Sequence, residues 1–269
     1  MTADREKMFN LPGVVTALLA VLFVIQLMVE LAPEAWEAAI VDAFAFIPIR
    51  LSYLFAPNVV IGELTNGAAV DARAQAHLAL ILNQGASVVL TPLTYAFLHG
   101  NWTHLAINSL TLAAFGSPVA RRFGTTRFLA FLAVCAIAGA LAHFVLHPFE
   151  LVPVVGASAA ISGTMGAIVR FAFTPEEPAS DDEIDEMPPQ PREGTIAPLS
   201  RLSSNRQAMF FLVTWLMLNV FFGMFPQAAG SSSAIAWEAH IGGLLAGLLL
   251  FDAFDRGEAR RAPGLADEA

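Results

Sequence analysis

The stretch Gly156-Ala157-Ser158-Ala159-Ala160-Ile161-Ser162-Gly163-Thr164-Met165-Gly166 decides how this chain is read. It opens an apolar segment, about 156–173, with the character of a membrane span. A serine in a catalytic-looking setting stands at its very start. Two further apolar segments carry polar side chains near one end, His104 and Asn108 in one and His240 in the other. Polar and ionisable groups inside spanning helices are costly, so each is a functional-site candidate. A serine, two histidines and an asparagine are the parts of a serine hydrolase.

Composition supports a membrane setting. Of 269 residues, 56% are hydrophobic and only 14% charged, against roughly 25% charged in soluble domains. Mean hydropathy is +0.62. The length suits one all-α bundle of about six spans at roughly 20 residues each. The formal charge of −9 argues against a nucleic-acid partner. The single Cys135 lies mid-span and leaves no intrachain disulfide to form. No secretory signal peptide is evident, because the first apolar segment is long enough to span and lacks a small-residue cleavage site.

Along the chain, residues 1–12 read as a polar tail and 13–255 as the membrane domain. The predicted spans are about 13–32, 102–120, 125–146, 156–173, 207–226 and 235–255. Residues 33–101 form a long connection whose apolar run 38–57 is broken by Pro48, Arg50 and Pro57. It is predicted to form short helices lying in the membrane interface. Residues 174–206 are rich in proline and acids and are expected to be a disordered linker. Residues 256–269 read as a second polar tail.

Basic residues set the expected orientation. With the N-terminus inside, Arg5, Lys7, Arg121, Arg122, Arg127, Arg170, Arg192, Arg201, Arg206, Arg256, Arg260 and Arg261 all fall inside, and only Arg50 and Arg73 fall outside. Both termini are therefore expected to be cytoplasmic, in a multi-pass protein of a membrane such as a bacterial inner membrane. The second, fourth and sixth spans then run from outside to inside. At 1.5 Å rise per residue, His104, Ser158 and His240 all fall within roughly 10 Å of the outer ends of their helices.

A serine hydroxyl needs a base within hydrogen-bond reach, and donors aimed at the oxyanion formed on the attacked carbonyl. His240 and Ser158 can supply the first pair. His104 and Asn108 are four apart and share one helix face, so they can present an imidazole and a carboxamide beside the Ser158 backbone N–H. Glu238 precedes His240 but faces elsewhere on its helix, so a dyad is expected rather than a triad. Gly243 and Gly247 form a GxxxG pair directly after His240, and Gly156, Ala159, Ser162, Gly163 and Gly166 supply small residues on the other span. Such residues let two helices approach closely in lipid.

The segments His99–Asn108 (HGNWTHLAIN), 156–166 (GASAAISGTMG) and 239–247 (AHIGGLLAG) together resemble the three signature segments of the rhomboid intramembrane serine proteases. The resemblance covers about 102–255 most clearly. It implies a six-helix membrane bundle with Ser158 as nucleophile and His240 as general base. It further implies His104 and Asn108 as oxyanion donors and His99 as a polar residue at the rim. Substrates, by the same resemblance, are single-span membrane proteins cleaved near the outer end of their helix. Relatives often carry Gly where Ala159 stands, and some carry an aromatic residue packed on the base where Ser162 stands. An Arg-containing motif found in the first loop of some relatives has no clear match.

Plainer roles exist for each residue. Ser158 alone reads as a helix cap, His104 as an interfacial residue and Asn108 as packing glue. His143 and His147, at the outer end of the third span, are expected to be interfacial, and His77 solvated or interfacial. Cys135 reads as a small buried apolar residue, and Trp102 and Trp237 as interface anchors. The rival function classes are a transporter or proton channel and a catalytically inactive relative that binds membrane clients. A channel would carry carboxylates inside its spans, and retention of Ser158 with His240 argues against the inactive relative. Two histidines with no acid at ligand spacing do not make a zinc site, so neither metal nor cofactor is expected.

Overall fold

A computed structural model describes residues 11–66, 71–72, 75–76, 82, 85–173, 196, 198–225 and 236–255. His77, Arg73, residues 1–10, the whole tail 256–269 and residues 174–195 and 197 of the linker lie outside the described residues. The end of the linker is not disordered as expected but holds a short helix, Leu199–Leu202. The fold is an all-α membrane bundle, and among the described residues its one β feature is an isolated antiparallel bridge between Phe46 and Val154. Among these residues, four helices are long and apolar enough to cross a membrane. They are α1 (Gly13–Glu30), α6 (Thr125–Leu146), α8 (Arg206–Met224) and α9 (Trp237–Phe254).

The second predicted span is realised as a composite helix, here α5. It comprises Trp102–Thr111, a π-helical stretch Leu112–Gly116 and Ser117–Phe123. The widened turn shifts the register between the two ends of α5. The fourth predicted span, about 156–173, is corrected. Helix α7 covers only Ser158–Val169, 12 residues, and rises about 18 Å where the hydrocarbon core is about 30 Å thick. All of α7 except Ser158 and Met165 is buried. A helix apolar on every side belongs in the centre of a bundle, and α7 packs between α6 and α9.

A short central helix leaves irregular backbone at its N-terminal end. Such backbone is tolerated at membrane depth only where protein covers it and satisfies its polar groups. The long first connection does this. It forms α2 (Glu34–Phe44), α3 (Pro48–Phe55) and α4 (Pro57–Leu64), as predicted for 38–57, with Pro48 and Pro57 opening helices rather than ending them. Phe46 exchanges both backbone hydrogen bonds with Val154, at 3.1 and 2.8 Å. The Ile49 N–H reaches the Glu150 carbonyl, the Ser52 hydroxyl reaches that of Pro148, and the Gly156 N–H reaches that of Tyr95. Arg50 is held on Asp42 and on its carbonyl.

Glycines set the distances among α6, α7 and α9. A Cβ on Gly243 would run into the Ala159 carbonyl, and one on Gly247 into that of Gly163. A Cβ on Gly242 would meet Ala142 and the Ala138 carbonyl of α6. The GxxxG pair after His240 therefore does face α7, and its neighbour Gly242 faces α6. At the opposite end, Arg170 bonds both carboxylate oxygens of Asp252 at 2.9 Å, and Arg122 pairs with Asp255. The outer helices expose Phe23 and Met28 on α1 and Phe210, Met217 and Phe221 on α8, faces suited to lipid.

Candidate functional site

Ser158 is the first residue of α7, after a sharp backbone turn at Gly156 with φ of +121°. That conformation favours glycine. The first amides of a helix have no intrahelical acceptor, so the N–H groups around Ser158 are available to an anion.

His240 lies in the first turn of α9. Its Nε2 is 2.7 Å from Ser158 Oγ, and its Nδ1 is 2.7 Å from the Oδ1 of Asn219 on α8. The Nδ2 of Asn219 donates to the Trp215 carbonyl one turn back, at 2.9 Å. That donation turns the amide oxygen toward His240. An oxygen facing Nδ1 can only accept, so Nδ1 carries the proton and Nε2 presents its lone pair to the Ser158 hydroxyl. The hydroxyl, imidazole and amide form one hydrogen-bonded chain in which Nε2 of His240 is free to accept from Ser158. Asn219 is absent from the sequence-based candidates. The signal that finds it is the rule that singled out the others, a polar amide among apolar neighbours in a span.

On the other side of Ser158, Asn101 caps α5 by accepting from the His104 N–H at 2.8 Å. The capped turn starts the face shared by His104 and Asn108. Both border Gly156. A Cβ there would lie 2.7 Å from the His104 ring and 3.6 Å from Asn108 Nδ2. Asn108 is buried, and its Nδ2 has no hydrogen-bond partner. A buried orphan donor is costly unless something fills its place. His99 is also buried and meets His104 edge-on, with ring centroids 5.0 Å apart. Burial, with His104 adding to it and the Phe97 backbone opposing, pushes the His99 imidazole down to about 3. His99 is thus a neutral ring backing His104.

Two of the three departures named above, Ala159 and Ser162, have local compensation. Ala159 turns its methyl toward Gly139 of α6, where a Cβ would collide with it. The methyl is accommodated away from His104 and Asn108. Ser162 is buried and donates to the Ser158 carbonyl at 2.8 Å, and Asn219 rather than residue 162 orients the His240 ring. Glu238 faces away from the Ser158–His240 pair, as expected, and meets His143 and His147. His143 is buried, so the expectation of an interfacial residue is corrected for it. Glu238 is remote from both histidines in the sequence. The structure brings Glu238 to them from α9.

The description Rhomboid domain matches residues 87–254. Rhomboid protease GluP of Bacillus subtilis is 40% identical over 86 residues, 32% of this chain and 16% of GluP. YdcA of the same bacterium, provisionally named a rhomboid protease, is 37% identical over 78 residues, 29% of this chain and 37% of YdcA. The matched part is thus less than half the length of either relative.

Proposed function

Because the chain belongs to the rhomboid family, we propose that it is an intramembrane serine endopeptidase working through a Ser158–His240 dyad. The observation that carries this is the 2.7 Å approach of His240 Nε2 to Ser158 Oγ, with Nδ1 held by Asn219. GluP and YdcA carry the rhomboid protease name, which supports the reaction class.

Ser158 Oγ attacks a peptide carbonyl while its proton passes to His240 Nε2. The new C–O bond leaves negative charge on the carbonyl oxygen. The unpartnered Nδ2 of Asn108, the His104 ring and the N–H of Ser158 are the donors for that charge. Donors already held in place cost no reorganisation at the moment of reaction. Collapse breaks the C–N bond, and His240 returns the proton to the leaving amine. Water then hydrolyses the acyl-enzyme with His240 again as base. Asn219 is a positioning residue, acting through the tautomer of His240 as the third residue of other hydrolytic triads does.

Substrates are membrane proteins whose helix unwinds near its outer end. A paired helical backbone hides its carbonyls, and a small or helix-breaking residue exposes one. An open cavity of about 820 Å³ between the π-helical stretch of α5 and α8, lined by Phe115, Met165, Phe173, Phe211, Trp215 and Leu218 among others, supports the approach of an apolar helix. The arginine pattern supports cytoplasmic termini and cleavage near the outer face of a bacterial plasma membrane.

The test is cleavage of a model single-span substrate by purified protein, wild type beside Ser158→Ala. Cleavage by wild type alone is expected. Equal cleavage by both would rule out Ser158 as nucleophile, and failure of both would favour an inactive, client-binding relative.

A further inference from the structure

The outer ends of α6 and α9 bring together three side chains that the Ser158 chemistry does not use. His143 and His147 stand one turn apart at the C-terminal end of α6, and Glu238 lies in the first turn of α9. Glu238 Oε1 is 3.0 Å from His147 Nε2, and Oε2 is 3.4 Å from His143 Nδ1. One ligand atom from each residue can be chosen so that all lie within 4.8 Å of one another. We propose that His143, His147 and Glu238 form a binding site for a zinc-class divalent cation, with water completing the shell.

Hydrogen bonding alone leaves this group poorly balanced. The contact of His143 with the carboxylate is at the long limit for a hydrogen bond. Its other ring nitrogen, Nε2, is buried with no partner. A buried nitrogen without a partner calls for an explanation, of which a bound ion or water is one. The donor set also has the right chemistry. Two neutral imidazoles and a carboxylate suit Zn²⁺ and leave a fourth position open. Zinc ligands at about 2.0–2.2 Å in tetrahedral array are about 3.3 Å apart. The contacts of 3.0 and 3.4 Å, made by the two oxygens of Glu238, are close to that spacing, and one ligand atom from each residue lies within 4.8 Å of the others. Entry is open, because the His147 side chain is 39% exposed while those of Glu238 and His143 are near 10%.

Such an ion would clamp α6 to the start of α9, two residues before His240. The clamp works on the helix pair itself, so its test does not depend on proteolysis. The full chain, purified with a tag free of histidine and stripped with a chelator, is titrated with Zn²⁺ against a chromophoric competitor. One equivalent should bind and should raise the thermal unfolding midpoint. His147→Gln and Glu238→Gln should each weaken binding by on the order of tenfold or more. Co²⁺ in place of Zn²⁺ should give the visible absorption of a four-coordinate ion in wild type and not in Glu238→Gln. Wild type that binds no stoichiometric Zn²⁺, or either variant binding it as wild type does, would overturn the site. Loss of binding in His99→Gln with retention in His147→Gln would assign the ion elsewhere and overturn it equally.

Discussion

The amide oxygen of Asn219 lies 2.7 Å from Nδ1 of His240, across the interface between the loosely packed α8 and the glycine-rich α9. The side chain that orients the His240 ring therefore comes from a helix that is mostly exposed, with only 11% of its spanning window buried. Ser158, by contrast, opens the most enclosed helix of the bundle. Any displacement of α8 would loosen the His240 ring without moving Ser158.

Asn219→Ala should lower kcat by on the order of tenfold to a hundredfold with little change in KM, because it releases the tautomer and not the substrate. Asn219→Asp, which keeps an acceptor toward Nδ1, should retain more turnover than the alanine variant. The check is steady-state cleavage of a membrane substrate in detergent or proteoliposomes. Full turnover by Asn219→Ala would reduce the contact to helix packing.

Asn108→Ala should cost on the order of 10²–10³ in kcat, the usual consequence of removing one oxyanion donor. Asn108→Asp should be at least as damaging, since a carboxylate is an acceptor that repels the developing charge. Gly156→Ala should behave similarly, because its methyl would sit 2.7 Å from the His104 ring at a φ of +121°. Near-native rates for Asn108→Ala would mean that its buried Nδ2 serves only packing.

Gly243→Val should abolish cleavage and lower the thermal midpoint while leaving the protein inserted. The added carbons meet the Ala159 carbonyl, and overpacking of this kind costs about 1–3 kcal/mol or more. Ala159→Gly should be tolerated, since it only vacates the space beside Gly139. Midpoints and cleavage rates of the two variants are compared directly. A fully active Gly243→Val would show that the glycine contact does not set the Ser158–His240 distance.

Topology is testable by single cysteines in a Cys135→Ser background, Cys135 being wholly buried. Thr65, Pro153 and Ser232 replaced by cysteine should react with an impermeant thiol reagent from outside, and cysteines at Ser180 and Gly264 should not. Labelling at position 180 with protection at 153 would invert the bundle and move Ser158 to the cytoplasmic side.

Hydropathy and small-residue spacing by themselves determined the helical bundle, most span limits and the pairing of Ser158 with His240, because lipid imposes a simple rule on every exposed segment. Span 125–146 and helix α6 coincide. The same rule overextended the fourth span, since a central helix is screened by its neighbours and is free to be short. The bracing of residues 150–156 by Phe46 and Ile49 depends on pairing across the fold, which no local pattern encodes. Asn219 and Glu238 show the limit most clearly. Asn219 stands out as a polar residue in an apolar span, but which histidine each of the two meets is not written in its sequence neighbours. Those meetings, Asn219 with His240 and Glu238 with His143 and His147, were decided by the tertiary structure. The angle at which one helix crosses another selects the side chains that come within 3 Å or so, and hydrogen bonds and metal coordination act only at that range.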